Sequence, residues 1–174
     1  MGPGILFKAL LQSSFSLMVF GWTQIVMDIQ PLIVIITGEG DLHGFTHTYV
    51  GAILIAVFSA LSGKYLSELG LVILGISKPK SNSSSNSIAG SSPIKIKWWI
   101  AFLSAFIGSF SHVLLDSIMH SDVEPLFPFA MDNDLYNLIS ISALHKICLY
   151  SGLVGGAIYF FARWRANKSL LEIE

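Results

Sequence analysis

The sequence predicts an all-α protein, a polytopic membrane helical bundle of about four transmembrane helices in a single domain spanning residues 1–174. Three observations carry that reading. Hydrophobic residues make up 53% of the chain and charged residues only 12%, about half the charged share of a soluble domain. Apolar stretches near the length of a span, roughly 20 residues, recur with polar segments between them. Lysine and arginine collect on alternate segments, as they do where a chain weaves through a bilayer.

The first stretch runs from about Ile5 to Thr37, too long for one straight span. Asp28 and Pro31 interrupt it, so the expectation is a main helix ending near Asp28, a break at Pro31 and a short continuation over 32–37. Gln12, Ser13, Ser14 and Ser16 divide the apolar run that follows Lys8, and no small-residue cleavage pattern follows. It therefore reads as a retained span rather than a secretory signal. Gly38–Asp41 is a turn. The second stretch covers Phe45–Leu61, with Lys64 and Glu68 ending it and 69–76 lying at the interface. Residues from about 77 to 95 carry Lys-Pro-Lys and a serine–asparagine run, a composition that buries no core and predicts a mobile loop. The third span runs from Trp98 to about Met119 and the fourth covers about Lys146–Ala162. Arg163, Trp164, Arg165 and Lys168 anchor the far end of the fourth.

Charge sets the expected topology. The segment between spans two and three holds Lys64, Lys78, Lys80, Lys95 and Lys97, and the C-terminal flank holds three more cations. The other two connections hold Glu39 and Asp41, then Asp122, Glu124, Asp132 and Asp134. Positive-inside reasoning places the lysine loop and both termini in the cytoplasm of a multi-pass protein of the cell (inner) membrane, with the lipid bilayer as its partner. No broad basic surface or nucleic-acid motif is present, so no nucleic-acid partner is expected. Cys148 is the only cysteine, which excludes an intrachain disulfide and a thiolate metal cluster.

The ionisable residues cluster in this apolar setting. His112, Asp116 and His120 recur every fourth residue, each step advancing about 40° around a helix and about 6 Å along it. They share one face. Asp28 lies late in span one, His43 and His47 begin span two, and His145 begins span four, so all five histidines fall toward one, non-cytoplasmic side. An unpaired carboxylate within a span costs at least about 3 kcal/mol, so it faces a partner or a cavity. Imidazole and carboxylate without thiolate suit a divalent metal ion, zinc first, with manganese or iron as alternatives. His43, His47, His112 and Asp116 are the candidate ligands. Asp28 is a further ligand or the base that takes a proton from water, with Glu124 the alternative base.

His120 stands about 12 Å along the axis from His112 and cannot share its ion unless the helix breaks first. It reads as a second-site ligand, a proton shuttle or an interface histidine. His145 reads as interfacial, and Asp122, Glu124, Asp132 and Asp134 as a solvated acidic loop. Two other readings of the same residues stay open: an ion or proton carrier, and a hydrogen-bonded network that only packs helices.

Asp28 within Met-Asp-Ile-Gln-Pro, His-Gly-Phe-Thr-His-Thr at 43–48, Ser-His-Val-Leu-Leu-Asp at 111–116 and Val-Glu-Pro-Leu-Phe-Pro-Phe at 123–129 stand in that order. Together they resemble the YdjM-like membrane-bound metal-dependent hydrolases. The resemblance implies a membrane bundle, a metal site at Asp28, His43, His47, His112 and Asp116, and hydrolysis of an ester or phosphoester. An amphiphilic or lipid-like substrate would suit such a site. Gln30 stands where that family carries a second Asp, and Gly44 follows His43 where it carries Arg.

Overall fold

In the computed structural model, residues 2–75 and 94–171 are described, and among them the only regular structure is helical. The elements are α1 (Gly2–Leu11), α2 (Leu17–Met27), α3 (Ile29–Thr37), α4 (Tyr49–Ile73), α5 (Trp98–Met119) and α6 (Ile141–Leu171), with 3₁₀ turns at Gln12–Ser14 and Phe45–His47. Four helical segments are long and apolar enough to cross a membrane: Leu17–Thr37, Tyr49–Ile73, Trp98–Met119 and Ile141–Lys168.

The first stretch departs from expectation twice. It breaks early, at Gln12–Ser16, because polar side chains there compete for backbone groups that a helix would use. Lys8 Nζ donates to the carbonyls of Gln12 and Phe15, at 2.8 Å each, tying off the end of α1. Ser16 then caps α2, accepting from the Val19 amide, while its own N–H donates to Ser104 Oγ on α5 at 2.8 Å. The second break falls at Asp28 rather than Pro31. Pro31 is the third residue of α3, within the first turn, where a helix has no use for an N–H. Gly38 ends α3 in the left-handed region, φ 72°, which a side chain disfavours.

Helix α4 begins at a proper cap, Thr48, whose Oγ1 accepts from Gly51 N at 2.9 Å. It runs on to Ile73, past the expected stop at Lys64 and Glu68. These two form an i,i+4 ion pair at 2.7 Å, and the Lys64 ammonium also lies over the rings of Tyr65 and Trp98. Neutralised and covered, the charges do not end the helix. Most of the predicted mobile loop lies outside the described residues. Its end does not: 94–97 forms no regular element, Ile96 is buried, and the Ile96 amide donates to Glu68 Oε1 at 2.8 Å.

Helix α5 has the predicted bounds and packs through small residues. Ala101, Ser104, Ala105, Gly108 and Ser109 are buried, opposite Ala52, Ala56 and Ala60 of α4 and Val19 of α2. Where lipid solvates the outside as well as a core would, close backbone approach holds helices together. At Gly108 an added Cβ would lie 3.1 Å from Thr23 Cβ. Helix α6 extends beyond its predicted range at both ends and packs on α1, where a Cβ on Gly155 would meet the Leu6 backbone at 2.6 Å. Helices α2, α4 and α5 thus form the inner triad, and α1 with α6 the periphery.

Candidate metal centre

The inner triad brings four residues from three distant segments to one end of the bundle. Asp28 occupies the joint between α2 and α3, His47 closes the 3₁₀ turn before α4, and His112 and Asp116 share the last turns of α5. Asp116 Oδ2 lies 3.1 Å from His112 Nε2 and 3.3 Å from His47 Nε2, and Asp28 Oδ1 lies 3.3 Å from His112 Nε2. Ligands at about 2.0–2.1 Å from a tetrahedral zinc stand about 3.3 Å apart. The spacing fits one ion.

Hydrogen bonds on the far side of each ring decide which nitrogens are free. Gln24 donates through Nε2 to the Gly108 carbonyl at 2.9 Å, so its Oε1, 2.9 Å from His112 Nδ1, accepts from that nitrogen. His112 Nε2 is left with its lone pair toward Asp28 and Asp116. At His47, the Thr46 hydroxyl donates to Gln30 Oε1, which also accepts from the Thr46 amide. Thr46 Oγ1 must then accept from His47 Nδ1, 3.0 Å away, which leaves His47 Nε2 bare as well. That Nε2 is fully buried and has no hydrogen-bond partner, although Asp116 is near. With both rings neutral, two imidazole lone pairs face two carboxylates, an arrangement that repels itself until a proton or a metal cation sits between them.

The five predicted residues do not converge as one set. Asp28, His47 and His112 offer ligand atoms within 4.8 Å of one another, and so do His43, His47 and Asp116; His47 belongs to both triples. Burial differs across them. His47 is 1% exposed, whereas the Asp28 carboxylate is 63% exposed.

Two further residues, His120 and Asp122, meet at His43. Helix α5 ends at Met119, and His120 turns to extended backbone (φ −120°, ψ 129°). The helix thus ends before His120, whose ring stacks on that of His43 with centroids 4.3 Å apart, and His120 shares no ligand group with His112. Asp122, read as solvated, takes a hydrogen bond from His43 Nδ1 at 2.9 Å. Partial burial raises the Asp122 carboxyl, but the bonds from His43 and its own amide, with the charges of His43 and His120, outweigh this and hold it below the usual range. The connecting loop is fixed: Asn133 Nδ2 donates to the carbonyls of Ser117 and His120, and the Tyr49 amide donates to Pro125 O.

A cavity of about 610 Å³ opens beside this end, lined by His43, Phe45, Thr48, Asp122, Glu124 and Phe127. Glu124 is part of the wall and of none of the candidate ligand groups. His145, exposed near the start of α6, likewise joins none of them.

Sequence reasoning missed Gln24 and read Gln30 only as a lost acid. Gln24 had a signal available, since it precedes Asp28 by four residues and shares its face. Gly44 is explained by the same network, because a Cβ there would run into the Gln30 side chain. No family model, curated protein or solved structure matches the chain.

Proposed function

We propose that this chain is a multi-pass membrane hydrolase dependent on a divalent metal ion, zinc first, that cleaves an ester or phosphoester of an amphiphilic substrate. The observation that carries the reading is the facing of the bare nitrogens of His47 and His112 toward Asp116 and Asp28. His47, His112 and Asp116 would hold the ion and leave its fourth position to water, with Asp28 and His43 beside them. When bound, the ion supplies Lewis acidity and lets water ionise near neutral pH.

The chain's own groups do the rest. Gln24 and the Gln30–Thr46 pair fix both imidazoles in the ligating tautomer. Asp28, open to solvent, accepts the proton of the attacking water and passes it outward. Phe45 and Phe127 give the cavity an apolar wall for an amphiphile. The resemblance to YdjM-like hydrolases supports the same assignment. Positive-inside charge supports placement in the inner membrane, with both termini in the cytoplasm and the centre on the opposite side.

The test is metal analysis of purified protein together with turnover of p-nitrophenyl phosphate and p-nitrophenyl acetate in detergent. The account expects stoichiometric metal, lost in His112→Ala and His47→Ala, and hydrolysis that disappears with it. Metal without turnover would favour the carrier reading. No specific metal would leave a packing network.

A further inference from the structure

His43, His120 and Asp122 form a further ligand group, each offering an atom within 4.8 Å of those offered by the other two. We propose that this group holds a second divalent cation beside the first; the inference rests on the proposed metal centre and extends it to two ions.

Four features of the chain build this site. The end of α5 at Met119 swings the His120 ring out of register with His112 and onto His43, the planes inclined by 31°. The His43 side chain is only 7% exposed, and its Nδ1 is anchored to Asp122. Buried Val123 and the bonds from Asn133 and Tyr49 hold the loop that carries His120 and Asp122, so the group is a formed feature rather than a chance approach of surface side chains. Two imidazoles and a carboxylate make a three-ligand set, which leaves a position open, and the 610 Å³ cavity reaches His43 and Asp122 directly. That cavity does not reach His47 or His112, so a ligand entering through it meets the second group first.

A cation here takes the place of the proton that His43 and Asp122 share, and that proton leaves to solvent. The two groups adjoin through His43 and His47, whose ring centroids lie 5.0 Å apart.

The experiment counts zinc. The full chain, purified in detergent and stripped with chelator, is titrated with zinc chloride, and bound zinc is measured by mass spectrometry after gel filtration. The expected count is two equivalents for the wild type and one for both His120→Ala and Asp122→Asn. If His120→Ala fails to fold by circular dichroism, Asp122→Asn decides, since its side chain is half exposed. One equivalent in the wild type, or two in Asp122→Asn, overturns the proposal. A single ion that merely binds more weakly in Asp122→Asn also overturns it, because Asp122 would then only orient His43. A wild type that binds no zinc sinks the first ion too, whereas one equivalent lost in His112→Ala and kept in His120→Ala sinks the second ion alone.

Discussion

At the scale of single residues, the centre is governed by which ring nitrogen carries a proton. Gln24 makes that choice for His112. Replacing it with leucine keeps the volume and removes the acceptor, so His112 is free to protonate Nε2 or to rotate. Outer hydrogen bonds of this kind are worth about 10–100-fold in metal affinity. Gln24→Leu should lose affinity in that range by chelator competition while its circular dichroism stays unchanged. Asp122 offers a pH readout. Its folded carboxyl is held below its unfolded value, so its contribution to stability is complete above the ordinary carboxylate range and is lost as pH falls through the lowered value. The melting difference between wild type and Asp122→Asn should be present at about pH 5 and close as pH drops below about 4, the ordinary Asp range. These partners were hard to read in the sequence because a glutamine in an apolar helix looks the same whether it holds a ligand or glues two helices.

At the scale of elements, the centre depends on where helices end. Thr48 starts α4 directly after His47, and Thr48→Ala should cost about 1 kcal/mol of stability. The same change loosens the turn that aims His47, because the Thr48 hydroxyl also donates to the Phe45 carbonyl. Gly108→Val should be more damaging, since even a Cβ there would lie 3.1 Å from Thr23 Cβ, a branched side chain would press further on α2, and Gln24 bonds to that carbonyl. It should lower both melting temperature and metal content. The bounds of α5 were legible because Lys97, Trp98 and Trp99 mark one end and His120 with its acidic loop the other. The course of the first stretch was legible only in part. Its serines and Gln12 were visible, but the reach of Lys8 across the break is a matter of local geometry, and the Ser16–Ser104 contact that also stabilises it comes from tertiary packing. Pro31 misled for a related reason: a proline breaks a helix interior but opens a first turn at no cost.

At the scale of the whole molecule, apolar composition and alternate charge gave the four long helices, and motif order gave the candidate residues. The sequence could not show how the five would divide, because Asp28 and His43 meet His47 in different ligand groups and only the folded chain sorts them. If the four long helices each cross the bilayer, as we propose, residues before the first and after the fourth lie on one side. Reporter fusions after residue 85 and at the C-terminus should therefore report the same compartment, and a fusion after Asp132 the opposite one. Zinc K-edge absorption on protein loaded with one equivalent of zinc tests the central claim most directly. The account predicts two imidazole nitrogens with carboxylate oxygen at about 2.0–2.2 Å and no sulfur. A shell of oxygen alone, or two imidazole nitrogens that survive when His47→Ala and His112→Ala are combined with His120→Ala, would contradict it.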